Sequence, residues 1–291
     1  MRIYFSRRRI LYSILCICTI IFFVVFMRLD EGYQGQGKRI SFITYGNTTF
    51  AQARDRIIRE AQETGIFNGI VKGYSPNDLS EEFKEATSVA VNQPRGGGYW
   101  IWKPYIIYTT LEKMNDDEFL CYSDAGSRFN ISGLERFNEY IQMIEPSTGK
   151  SVVVMQLDNL KASTDTFEEK VWTTSALFEY FQIDTLNPIR NSSQILATVF
   201  ICRKTPESMD IVKRWLDVAM EKPELFTDMF NEDAKNKEPM FRENRHDQSV
   251  FSLIVKQQPY KQCTVLLSDE VDETDNNKEQ KLPIWATRSR L

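Results

Sequence analysis

At 291 residues and a formal net charge of −4, the chain has room for one sizeable domain and lacks the basic surplus of a nucleic-acid binder. Its 42% apolar and 12% aromatic content exclude a disordered chain. Five scattered cysteines with no CxxC pair exclude a disulfide scaffold and dithiol redox work.

Residues 1–9 are short and basic (Arg2, Arg7, Arg8, Arg9), and residues 10–27 carry no charge at all. Eighteen uncharged, mostly apolar residues behind a basic cluster predict a transmembrane signal-anchor with its N-terminus in the cytosol. A cleaved signal peptide fits less well, because no small-x-small pattern follows Met27. Residues 28–38 read as a stem, and residues 39–291 as a luminal domain. Sequons at Asn47, Asn130 and Asn191 agree with a secretory-pathway membrane such as the Golgi.

Arg39 to Thr44 predicts a strand, and Ala53, Ile57 and Ala61 mark a helix stopped by Gly65. A strand over Asn68 to Tyr74 and a helix over Leu79 to Val91 follow. This alternation argues for a largely parallel α/β sheet. The stretch Arg95 to Gly126 is the centre of the chain. Gly96, Gly97 and Gly98 let backbone N–H groups approach a ligand. Arg95 and Lys103 bracket that loop with positive charge. Ile107, Leu111 and Met114 give the next helix a buried face, and a short apolar run ends on Asp124. The crevice beyond the carboxyl ends of such strands is where ligands sit.

Further on, Ser132 to Glu135 forms a capping-box pattern, Val152 to Leu157 a strand ending at Asp158, and Phe167 to Phe181 a helix. Ile195 to Cys202 reads as a buried strand and Glu207 to Met220 as an amphipathic helix. His246-Asp247-Gln248 opens another helix, Val265 to Leu267 reads as a last strand, and Asp269 to Asp275 as a solvated acidic loop.

His246 is the only histidine, which excludes a multi-histidine zinc site. There is no GxxxxGK[ST] and no GxGxxG after the first strand. Oxygen-ligand chemistry remains: Mg2+ or Mn2+ held by a carboxylate and substrate phosphates. Asp124 is the candidate ligand, with His246, in a polar turn, and Asp247 as second contributors. Arg95 and Lys103 are candidates for a diphosphate. Tyr99, Trp100 and Trp102 are candidates for stacking a base or sugar, or for the core.

The segments ITYGNTTF, RGGGYWIWKPYII, YSDAG and RHDQSVFSLI resemble a poorly characterised group of nucleotide-sugar glycosyltransferases of the GT-A fold, over roughly Arg39 to Leu267. The resemblance implies a Rossmann-like mixed sheet flanked by helices. It implies sugar transfer from a nucleotide diphosphate to a hydroxyl of a glycan, glycoprotein or glycolipid. By the same resemblance Arg95, Gly97, Gly98, Trp102, Lys103 and Asp124 bind the donor, Asp124 and His246 the metal, Asp247 contacts the donor sugar or the acceptor, and Asp247 or Asp158 acts as base. The motif departs from the family in one respect: Ser123-Asp124-Ala125-Gly126 carries one Asp where the family has two. Two other readings stand beside it, a catalytically silent carbohydrate-binding module and a sugar-phosphate transferase. Acceptor contacts are expected within Phe167 to Ile195.

Overall fold

A computed structural model describes residues 38–157, 166–236, 241–271 and 281–289. Apart from Lys38 these belong to the compact unit Arg39–Leu291. The expected tail, the anchor and nearly all of the stem lie outside the described residues, as does Asp158. Among the described residues no helix is long and apolar enough to cross a membrane.

Six strands form one mixed sheet: β1 (Ile40–Tyr45), β2 (Val71–Tyr74), β3 (Phe119–Ser123), β5 (Val152–Gln156), β6 (Val199–Arg203) and β7 (Thr264–Ser268), in the order β2-β1-β3-β6-β5-β7. β1 pairs in parallel with β2 and β3, and β5 with β7; β6 runs antiparallel between β3 and β5. A two-stranded ribbon joins β4 (Arg128–Phe129) to β8 (Ile284–Trp285).

Side chains alternate across a strand, so each strand feeds two cores. Ile43, Tyr45, Leu120, Tyr122, Val152, Val154, Phe200 and Cys202 enter one, packed under the helices Trp102–Lys113, Pro206–Glu221 and Asp247–Lys256. Phe42, Phe119, Cys121, Val153, Met155 and Ile201 enter the other, under Ala51–Glu63 and Leu134–Met143. Burying one such Phe or Ile contributes about 1.5–3 kcal/mol.

Three expected elements come out differently. Leu79 to Val91 breaks into Glu81–Ala86 and Ser88–Val91, because the Thr87 hydroxyl donates back to Phe83 O. Phe167 to Phe181 breaks into Glu169–Trp172 and Ser175–Tyr180, where extended Thr174 caps the second piece. The capping box at Ser132 does not form. Its hydroxyl donates to Asn130 Oδ1 at 2.7 Å, and a 3-10 turn precedes the helix.

Candidate active site

The chain leaves β1 toward β2 on one side and returns through β3 on the other, which opens a crevice at their carboxyl ends. Tyr45, Gly46 and Asn47 after β1, Asp124 to Ser127 after β3, Leu157 after β5 and Asp269 after β7 all line one cavity. Leu196 and Thr198 reach it from the amino end of β6. Its volume is about 680 Å3, within the range of small-molecule sites.

Asp124 turns into this cavity from the end of β3. Its backbone N–H donates to Thr198 O at 2.9 Å, and Ser127 N–H closes the turn on Asp124 O. The buried Arg56 guanidinium donates to Ala125 O and Ser127 O, clamping the turn from below. Tyr122 Oη donates to Asp124 Oδ1 at 2.5 Å, and Lys103 Nζ lies 3.1 Å from the same oxygen.

Lys103 is 2% exposed and does not line the cavity. Its ammonium sits between Asp124 and Asp247 Oδ2, 2.6 Å away, and donates to Ala197 O. Its approach to Asp247 Oδ2 is an ion contact off the hydrogen-bond direction. Burial by itself would lower the Lys103 ammonium, but Asp124 and Asp247 together hold it above the usual lysine range. Burial pushes Asp247 up to about 6 even though Lys103 opposes that shift. The expected direct contacts of Lys103 with a diphosphate and of Asp247 with an acceptor are therefore not assembled. Both lie behind the cavity wall, where they fix Asp124.

Arg95 does line the cavity, but its guanidinium is committed to Asp228 at 3.0 Å and Glu243 at 2.8 Å. His246 is buried rather than exposed, at the head of the helix Asp247–Lys256 with φ +55°. Its Nδ1 faces Phe226 O at 2.8 Å, its Nε2 lies 3.8 Å from Asp228, and its ring stacks on Trp100. Burial, with the Arg95 charge added, pulls the imidazole down to about 4. It does not line the cavity with Asp124.

The glycine loop is a left-handed turn: Gly96, Gly97, Gly98, Tyr99 and Trp100 all have positive φ. At Gly98, φ is +103° and a Cβ would meet Val91 O at 2.6 Å, so only glycine fits there. Tyr99 and Trp100 cost about 1–2 kcal/mol each in this region. Tyr99 Oη donates to Asp228 and Trp100 packs on His246. Gly96 and Gly97 line the cavity; Gly98 does not. Trp102 lines its edge while stacked on Tyr45 at 3.8 Å.

The residues expected to hold a divalent ion, Asp124 and His246, are not brought together as its ligands. The inner oxygen of Asp124 already faces an ammonium and a phenol. His246 is engaged elsewhere. Position 126, two residues on, is a glycine whose Cβ would stand 3.2 Å from Arg288 Cα. Among the described residues no three His, Cys, Asp or Glu side chains converge on a metal position. Of the sequons, Asn191 is exposed, Asn130 caps a 3-10 turn, and Asn47 lines the cavity while capping Thr48–Phe50.

No family model matches the chain, and no curated protein matches it. Solved structures are similar at low identity, three of them as follows. A glycosyltransferase involved in glycosylation of the major capsid of PBCV-1 gives TM-score 0.46 at 10% identity, over 85% of this chain and 92% of that one. Mouse xyloside xylosyltransferase 1 gives 0.42 at 12%, over 80% and 86%. The galactosyltransferase LgtC gives 0.38 at 10%, over 84% and 86%. These likenesses lie below the level at which a shared activity follows.

Several cavity residues were not among the predicted donor, metal or catalytic residues. Arg245 and Gln248 flank the His246-Asp247 pair that did stand out. Asp269, Arg288, Thr198 and Phe167 come from distant segments and meet only through the fold.

Proposed function

We propose that the protein is a nucleotide-sugar glycosyltransferase of GT-A type, acting on a hydroxyl of a glycan, glycoprotein or glycolipid. One observation carries this reading: a carboxylate, Asp124, leaves the end of β3 into a cavity of about 680 Å3 whose other walls bring arginines and a left-handed glycine turn. The motifs around Gly97 and Asp124 support the sugar-transfer class through their resemblance to that family. The anomeric C–O bond breaks and its electron pair stays with the departing phosphate. The acceptor oxygen bonds to C1, and its proton passes to a carboxylate on the wall, where Asp124 and Asp269 stand. Exposed backbone at Gly96 and Gly97 and the cavity arginines oppose the charge that builds on the leaving group. The basic and apolar residues 1–27, with the sequons, support a single-pass type II membrane protein of the secretory pathway.

The full-length chain, offered a panel of nucleotide sugars, is expected to hydrolyse one donor slowly to the nucleoside diphosphate. Asp124→Asn is expected to lower that rate about 100-fold or more. Release of the nucleoside monophosphate would instead identify sugar-phosphate transfer. Absence of turnover with every donor would make this a silent carbohydrate-binding module.

A further inference from the structure

Arg245 lines the cavity two residues before the helix Asp247–Lys256 and is half-buried. Backbone pairing builds its place: Arg242 N–H donates to Val171 O at 2.9 Å and Arg245 N–H to Trp172 O at 3.1 Å. The guanidinium carbon then stands 3.9 Å from the centre of the Trp172 ring and 5.8 Å from that of Phe167. Trp172 is itself held, its Nε1–H donating to Thr166 O at 2.8 Å. Stacking occupies the face of a guanidinium and leaves its in-plane N–H groups for another partner. Among the described residues those groups donate no hydrogen bond and meet no carboxylate in an ion pair. Burial pulls Arg245 below the usual arginine range; Glu243 opposes this, the like charge of Arg288 adds to it, and Glu169 opposes it.

This stack belongs to the β5 side of the cavity, because Leu157 N–H donates to Gln194 O at 2.9 Å and Gln194 N–H to Phe167 O at 2.8 Å. The glycine turn belongs to the β1 side, where a Cβ on Gly97 would stand 2.9 Å from Asn47 Nδ2. β1 and β5 are three strand spacings apart in the sheet, about 14 Å. The two phosphates of one diphosphate do not span that distance. We propose that Arg245 is a second anion subsite of the cavity and takes a carboxylate carried by a sugar substrate. One guanidinium matches the single charge of a carboxylate and offers parallel N–H groups to its two oxygens. A half-buried cation with unspent donors favours that partner over a neutral hydroxyl, which brings no opposing charge. At the leaving group Arg245 acts through the field of the cavity, without contact. Only the naming of that sugar as a substrate rests on the transferase reading.

The test titrates the full-length chain with D-glucuronate and with its neutral match, D-glucose, followed by ligand-observed NMR. Glucuronate is expected to bind about tenfold more tightly. Arg245→Met keeps an apolar stem on Trp172 and is expected to reduce that preference to about twofold or less, with thermal unfolding reporting that the variant is folded. If Arg245→Met fails to fold, Arg245→Lys takes its place and is expected to lower the preference several-fold, since it loses the fork. Equal binding of the two sugars, binding of neither, or a preference that the variant leaves unchanged would overturn the proposal. Two further arms locate the carboxylate: preferred turnover of a nucleotide uronic acid puts it on the donor, and preference for an acidic over a neutral glycan puts it on the acceptor. Donor turnover with no carboxylate preference in either arm would keep the transferase and remove this subsite. Glucuronate preference through Arg245, with no sugar nucleotide turned over, would do the reverse.

Discussion

Two buried lysines in this molecule meet carboxylates in opposite ways. Lys103 sits between Asp124 and Asp247, and its ammonium is held above the usual range. Lys256 meets a single carboxylate, Glu169, at 2.6 Å, and burial pulls it below that range. Glu169 is fully buried and also accepts from Thr173, Gln194 and Ser252, so its charge is spread over several donors. One carboxylate shared in that way does not repay the desolvation of an ammonium, whereas two facing carboxylates do. The first centre stands directly behind the cavity wall. The second reaches the cavity through Gln194, which accepts from Gln248 Nε2 at 2.8 Å.

Removing the better-held lysine is expected to hurt most. Lys103→Met leaves two carboxylates facing each other in the interior and is expected to cost about 3–5 kcal/mol in urea unfolding. A cost no larger than that of Glu169→Gln would erase the contrast.

The next effect is one of pH. Asp247 is raised to about 6 in the folded chain against roughly 3.9 unfolded. Its contribution to stability is thus complete below about pH 4 and lost as pH rises through about 6. Between those values the stability of Asp247→Asn is expected to gain roughly 3 kcal/mol relative to the parent chain. Parallel stability curves for the two proteins across that range would show that the carboxyl is not displaced.

Glu169→Gln is expected to cost only about 1–3 kcal/mol, since Lys256 is already disposed to give up its proton. Thermal unfolding at neutral pH measures this, and slow donor hydrolysis should persist because Glu169 does not line the cavity.

Local signals made much of this fold legible. Ala53, Ile57 and Ala61 marked the helix Ala51–Glu63, and the apolar run before Asp124 marked β3. The α/β class followed from that alternation, which argued for a largely parallel sheet; the mixed sheet came only from the resemblance, and the reversed direction of β6 had no local signal, because strand direction is not written in side-chain period. Site chemistry was legible where it sits at an element end. Asp124 was singled out that way, and it lines the cavity. Lys103 and Asp247 were found as residues but given the wrong surroundings, since the helix beginning at Trp102 turns Lys103 inward. His246 looked exposed in its polar RHDQ setting, yet the left-handed turn folds Trp100 over its ring. Arg288 had no local pattern. It reaches Gly126 across 162 positions through hydrogen bonds from its neighbours, a contact of high sequence separation.

The run Gly96 to Trp100 has a meaning beyond the cavity it borders. Three glycines in a row look like slack in the sequence, but here the backbone is fixed and its hand is inverted over five successive residues. Ribosomal synthesis offers only L-residues, and glycine is the one achiral occupant among them. The length of the glycine run therefore records how far the mirror-image path extends before Tyr99 and Trp100 are held in it by their own contacts. At these positions chirality, more than mobility, is what the chain had to solve.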